Sequence, residues 1–325
     1  MDDALPLQKT KPWDPDRPVS RGAAAYHNAV VDSSWYVDNL QELSKIMAAI
    51  IKENDVVVDF GAGTGVSSLR LLKNIKLRFK LWLVDNSAAW LGKAHEVFKD
   101  NQDVKCFLLE KINNKYQVLA EVIGENNADY VISANTVHLI PDLEQVFEGI
   151  RKSLKKNGTF TFQSGNIIRE ERKNGVLMID DTVRIVHKLA LDIIQTNDKF
   201  KEYREGLDER IKNEKKQRKF VFPDPRSLDF YLGALKGAGF DNLKWYSKII
   251  KVKYEDWLDF LRVKRLQAGI LPEVGGKKPS TKEEQDRDSI ITLAANKMFK
   301  EFEEKNPMAD KKTFATEWIY VTAMS

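Results

Sequence analysis

The stretch Val56, Val57, Val58, Asp59, Phe60, Gly61, Ala62, Gly63, Thr64, Gly65 constrains the fold more than any other. Three β-branched residues in a row read as a buried strand. An acidic residue closes the run, glycine recurs at every second position, and an apolar helical segment follows over residues 66–72. Glycine reaches positive φ and lets a ligand approach the backbone closely, because it has no Cβ. Strand, Gly-rich turn and helix start together predict a small-molecule cradle at the carboxyl edge of a parallel sheet.

The spacing separates ligand classes. A dinucleotide fingerprint runs G-x-G-x-x-G, whereas here the third glycine comes one residue early. Asp59 would repel a pyrophosphate and attract the ammonium of an amino-acid ligand. The segment resembles the first motif of class I S-adenosylmethionine methyltransferases, and the resemblance extends over residues 55–162. It implies an α/β fold, a doubly wound and mostly parallel seven-stranded Rossmann-like sheet. It also implies S-adenosyl-L-methionine as cofactor and S-adenosyl-L-homocysteine as product.

Carried over residue by residue, the resemblance places Asp59 at the methionine end of the cofactor, often through water. The alternative for Asp59 is a strand-end carboxylate that caps the next turn. Gly61, Ala62, Gly63 and Gly65 would pass the backbone close to the ligand. Asp85 ends the apolar run Leu81, Trp82, Leu83, Val84 and matches the ribose-binding acid, since a carboxylate there can accept both hydroxyls. Asn86 would lie beside the adenine, and Leu109 and Glu110 would contact its face and amine. Many family members have Asp where this chain has Glu110, and a plain surface glutamate is the other reading. Asn135 would line the methionine side through its backbone. Tyr26 would fold over the cofactor, with Arg21 able to pair with a carboxylate there; surface packing of this arm is the alternative.

The rest of the chain is organised around that core. Pro6, Pro12, Pro15 and Pro18 among charges predict an extended arm over residues 1–22. A methyltransferase domain is expected over 23–325, opening with helix over 23–51. Strands are expected at 80–84, 104–109, 130–133 and 159–162, with helices at 87–98 and 143–154. After Ser164 the alternation breaks. Helical insertions at about 166–222 and 252–310 are expected to cap the sheet, with strands at 243–250 and 318–321 closing it. Ser227 reads as an N-cap, and Gly237 and Gly239 as the end of the helix it starts.

Composition excludes several classes. The 325 residues have a net charge of +4 and one cysteine, Cys106. That mild positive balance argues against a nucleic-acid partner. A single cysteine in an apolar stretch reads as a buried structural thiol of a reducing compartment. No apolar run approaches the roughly 20 residues of a membrane span, and no leader peptide is visible; a cytoplasmic protein is expected. Neither zinc-type ligand spacing nor a tight Asp cluster occurs, so transfer without a metal is expected.

Methyl transfer from a sulfonium is an in-line displacement in which the protein aligns and desolvates the reactants. His138, in the segment Ser133, Ala134, Asn135, Thr136, Val137, His138, is the candidate catalytic residue. As a base it would serve a hydroxyl or carbon acid; a backbone-bonded or substrate-orienting histidine is the alternative. That segment differs from the Asn-Pro-Pro-Tyr type of nucleic-acid amino methylation. The later half loosely resembles methyltransferases that esterify carboxylic acids, through Phe222-Pro223, Gly237-Ala238-Gly239-Phe240, Tyr254-Glu255-Asp256-Trp257 and Glu317-Trp318-Ile319-Tyr320-Val321. The expected partner is a small, hydrophobic organic acceptor methylated at oxygen. Methylation at carbon or nitrogen, or of tRNA or protein, is the competing outcome. The basic run 212–219 could greet a carrier-protein surface, or be a solvated face.

Overall fold

The computed structural model describes residues 11–305 and 312–325; positions 1–10 of the expected arm lie outside the described residues. Seven long strands form the frame: β1 (Val56–Phe60), β2 (Lys80–Asp85), β3 (Val104–Leu108), β4 (Ala128–Ala134), β5 (Leu154–Ser164), β6 (Asp241–Lys253) and β7 (Thr313–Met324). Their order across the sheet is β6-β7-β5-β4-β1-β2-β3. Neighbours among β1 to β5 are parallel, and β7 runs antiparallel between β5 and β6. This is the doubly wound α/β sheet read from the sequence, with one addition. The short strand Val176–Leu177 pairs with β7 and makes an eighth member.

Side chains on a strand alternate between faces, and here both faces are covered. Val57, Leu81, Leu83 and Ile132 go to one core, whereas Val58, Phe60, Val84 and Val131 go to the other. The second core takes α5 (Leu119–Ile123), α6 (Leu143–Ser153) and α9 (Leu228–Gly237) through Phe147, Ile150, Tyr231 and Leu235. The first takes α2 (Ser34–Ala48), α3 (Val66–Asn74) and α4 (Ala88–Phe98). Beyond them pack the insertion helices α7 (Ile179–Thr196), α8 (Leu207–Val221), α10 (Tyr254–Leu261), α11 (Lys264–Ile270) and α12 (Thr281–Lys305). The single helix expected over 23–51 is two, α1 (Arg21–Val30) and α2, broken at 31–33.

Aromatic rings fasten these helices to the sheet. Trp35 of α2 meets Trp257 and Phe260 of α10 and Trp318 of β7 at centroid distances of 5.6, 5.4 and 5.9 Å. All four side chains are buried. Each such pair adds roughly 0.5–1.5 kcal/mol beyond its area burial, so the cap and the sheet share one core. At the opposite edge, the Trp13 amide donates to the Cys106 carbonyl at 2.7 Å and ties part of the arm to β3. Cys106 itself is buried.

The Ser227 hydroxyl accepts from the Phe230 amide at 3.2 Å, which caps α9, and Gly239 leaves that helix at φ +84°. The strand order reverses at β1, whose neighbours are β2 and β4. Ligands bind outside the carboxyl ends of strands at such a switch point, and both insertions follow strands that end on that side.

Candidate functional site

A cavity of about 780 Å³ opens there. Its floor is the turn after β1. The amides of Gly61 and Ala62 donate to the Val84 carbonyl at 2.8 and 3.1 Å, folding the turn back over β2. Gly61 has φ +72°, and a Cβ on it would come within 2.2 Å of the Thr136 side chain. Thr136 in turn donates its hydroxyl to the Gly61 carbonyl at 3.0 Å. Gly65 is held for another reason: a Cβ there would meet the Phe98 ring at 2.7 Å. It lets α3 sit against α4 and lies off the cavity wall.

Asp59 also lies off the wall. It is fully buried beneath the turn, where it accepts from the hydroxyls of Ser67 and, at 2.7 Å, Ser68 at the start of α3. Its Oδ1 has no hydrogen-bond partner among the described residues. Burial pushes its carboxyl up to about 6, against the pull of the two serines. Asp85 is on the wall. Its Oδ2 accepts from the Gly63 amide and its Oδ1 from the Ser87 amide, both at 2.8 Å. Burial raises its pKa, and backbone N–H donors oppose the rise.

Asn86 and Leu109 line the same cavity. Glu110 does not: it is exposed, and its amide donates to the Gln117 side chain at 3.0 Å. That contact closes a hairpin, absent from the sequence reading, whose residues Asn114 to Val118 reach the wall. Asn135 reaches the wall with φ +55°, its amide donating to the Gln163 carbonyl at 3.1 Å. Its Nδ2 has no partner among the described residues. Tyr26 packs its ring 4.5 Å from Trp90, with its hydroxyl 3.5 Å from that of Tyr36. Arg21 is not on the wall.

Trp35, Ile179, Phe222, Phe260 and Trp318 give the cavity apolar lining, and His138 lines the same cavity. The imidazole Nδ1 lies 3.0 Å from the Ser164 hydroxyl at the end of β5. Burial, and then the Arg226 charge, push the ring down to about 4, so it is neutral at pH 7. His187 lies 3.1 Å from a Glu273 carboxylate oxygen.

Sequence reasoning missed Trp90 and Arg265. Arg265 stacks its guanidinium 4.8 Å above the Trp90 ring, and both line the cavity. Trp90 carried one local signal, its place three residues past the N-cap Ser87. Arg265 carried none. Among the described residues no group of three or more His, Cys, Asp or Glu is placed to hold a metal ion. No helix among them is long and apolar enough to cross a membrane.

Comparison with known proteins follows the same outline. A family model described as a methyltransferase domain matches residues 51–224, more than half of the chain. Over 110 residues the chain is 27% identical to a highly reducing polyketide synthase of Penicillium decumbens, covering 34% of this chain and 4% of that protein. Over 103 residues it is 27% identical to a hybrid PKS-NRPS synthetase of Pyrenochaetopsis sp, covering 31% and 2%. The chain thus spans a small fraction of the length of the curated relatives it matches. Among solved structures, the YcgJ protein from Bacillus subtilis superposes with a TM-score of 0.50 at 14% identity, covering 89% of this chain and 98% of that one. That likeness is one of fold. With more than half of its length matched by the family model, the chain belongs to the methyltransferase-domain family.

Proposed function

We propose that this chain is an S-adenosylmethionine-dependent methyltransferase that acts on a small, hydrophobic organic acceptor, and at oxygen. The observation that carries the reading is the mixed lining of the cavity, which combines backbone and a strand-end carboxylate with aromatic and aliphatic side chains and one imidazole. Pockets of this make-up suit a small molecule with one polar group to orient.

The residues around the glycine turn fit the cofactor. The turn at Gly61 and Gly63 has positive φ and lines the cavity. Asp85 accepts one backbone N–H on each oxygen, which leaves lone pairs for two ribose hydroxyls. The unpartnered Asn135 Nδ2 suits the methionine portion. Gly61, Ala62, Gly63, Asp85, Asn86, Leu109, Asn135 and Tyr26 would then hold the cofactor directly. Asp59 and Gly65 would shape the turn from behind, and Glu110 would take no part. Bound there, the cofactor supplies a methyl group already activated on a sulfonium. What remains for the chain is to align the acceptor, exclude water and hold His138 against it. Catalysis in a cytoplasmic compartment accords with the one buried cysteine.

A second reading has a specific observation in its favour. Phe220 is 75% exposed at the cavity rim, at the basic end of α8 beside Lys215, Lys216 and Lys219. An acceptor presented on an acidic carrier protein would pass that rim, and the two curated relatives are named as a highly reducing polyketide synthase and a hybrid PKS-NRPS synthetase.

One experiment separates the readings. Methyl-labelled S-adenosylmethionine is incubated with the protein and an extract of its source cells, then divided into solvent-extractable and acid-precipitable fractions. Label in the extract is expected. Label that precipitates and is released by hydroxylamine, which cleaves thioesters, would establish the carrier instead. Precipitated label that resists hydroxylamine would mean a macromolecular acceptor and sink both.

A further inference from the structure

We propose that His138 acts as a hydrogen-bond donor, through Nε2–H, to an oxygen anion on the acceptor, which is therefore a carboxylate or an enolate. The assignment of the acceptor rests on reading the cavity as the methyl-transfer site.

The proton can be placed from the hydrogen bonds around Ser164. This serine is fully buried, and its oxygen accepts from the Asn166 amide at 3.0 Å. Its other hydrogen-bond contact among the described residues is His138 Nδ1 at 3.0 Å. A hydroxyl has one proton to give. Were Nδ1 protonated, the serine would accept twice and its own proton would be stranded in a dry site, costing about 1–3 kcal/mol. Ser164 therefore donates to Nδ1, and a neutral imidazole so held carries its proton on Nε2. Nε2 has no hydrogen-bond partner among the described residues, and the ring lines the cavity.

The loop that presents the ring is clamped. Arg226 donates to the carbonyls of Ile140 at 2.7 Å, Val137 at 3.2 Å, and His138 and Pro141 at 3.4 Å. Its guanidinium lies 4.9 Å from the Phe230 ring centroid and 5.2 Å from that of Tyr231. It thus fixes the imidazole from 88 residues away. It also sets a positive charge behind the ring, which favours an anion in front of it. Ser164 and Arg226 are positioning residues in this scheme.

A nitrogen that already holds a proton cannot take one from the acceptor, so the acceptor arrives ionised. Its nucleophilic atom forms the new bond to the methyl carbon. The carbon–sulfur bond breaks and its electron pair stays on sulfur. The acceptor loses its negative charge, and no proton moves.

The test uses the full chain labelled with ¹⁵N-histidine. Four histidines give few signals, and His138→Asn assigns the pair by removing it. At neutral pH the expected spectrum has a bare, hydrogen-bonded Nδ1 and a protonated Nε2, unchanged down to about pH 5. Ser164→Ala should let the proton exchange between the nitrogens, and Ser164→Thr should restore the pattern. A proton on Nδ1, or a ring that charges near its ordinary value, would overturn the proposal.

A second arm adds probes in the presence of S-adenosylhomocysteine: decanoate, benzoylacetone and decanol. Displacement of the Nε2 signal by decanoate identifies the carboxylate class, and by benzoylacetone the enolate class. A response to decanol alone, or to none of the three, overturns the acceptor assignment. Calorimetry with S-adenosylhomocysteine keeps the two questions apart. If it does not bind, the reading of the cavity fails, while the tautomer result stands.

Discussion

The wall around Gly61, Gly63 and Asp85 and the wall around Trp35, His138 and Trp318 enclose one cavity, yet the chain builds them by different routes. The first comes from the carboxyl ends of three adjacent parallel strands, β1, β2 and β3, and its contacts are largely backbone. The second is assembled from α2, the loop after β4, the end of β5, both insertions and β7, and its contacts are side chains. A wall made of backbone tolerates exchange of neighbouring side chains but no added Cβ. A wall made of side chains can be re-lined while the sheet stays as it is. The wall around the glycine turn is thus the fixed part of the cavity, and the wall around His138 the adjustable one.

The largest expected effect tests the fixed part. Gly61→Ala should weaken S-adenosylhomocysteine binding by at least a hundredfold, about 2.7 kcal/mol, because the methyl would occupy the space of Thr136 at positive φ. Calorimetry checks it; affinity within threefold of wild type would mean the turn can yield, and the contrast between the walls would fail.

Two buried groups, one beneath the glycine turn and one on the His138 wall, respond to acid with opposite sign. Asp59 is raised in the folded chain to about 6. Between about pH 4 and 6 the native state therefore binds more protons than the unfolded one, and stability falls as pH rises through that window. His138 is lowered to about 4, so the native state binds fewer protons between about pH 4 and 6.5, and stability rises with pH there. Asp59→Asn should remove a decline of order 2 kcal/mol across that range. His138→Asn should shift the profile the other way. Urea titrations at several pH values decide the matter; parallel profiles for wild type and Asp59→Asn would show that the buried carboxylate does not titrate there.

Asp85→Ala should cost about tenfold in cofactor affinity, ~1.4 kcal/mol, and Asp85→Asn less, since the amide oxygen can still accept one backbone N–H. Equal affinities for all three forms would remove Asp85 from the ribose. The smallest effect concerns the adjustable wall's surface. Replacing Lys212, Lys215 and Lys216 together by serine should change stability by less than about 0.5 kcal/mol and leave transfer to a small acceptor intact. Loss of labelling in the precipitable fraction alone would instead mark α8 as the place where a large acceptor docks.

This division explains what could be read from the chain. The strand at Val56, the glycine turn and the acid at Asp85 are contiguous signals, because the sheet edge that uses them is built from short strand–turn–helix units. The parallel strands β1 to β5 followed from the same alternation, whereas the seven-strand count and the closing pair came from the family resemblance. Where Asp59 points did not: a strand-end acid can face the ligand or the next helix, and Ser67 and Ser68 turn it inward. The acceptor wall was least legible. Nothing near His138 in sequence announces Ser164 or Arg226, and nothing near Arg265 announces Trp90. Such pairs exist only once the sheet has brought distant segments together.

Cys106, tucked under the Trp13 backbone, has a practical consequence. It is 4% exposed, and burial pushes its thiol up to about 12. Since the thiolate is the form that reacts, the chain's one native sulfhydryl should be silent toward maleimide dyes at neutral pH. A cysteine placed at the exposed Phe220 would then take the dye alone. The rim of the cavity can be given a single fluorescent reporter without first stripping the protein of its own thiol.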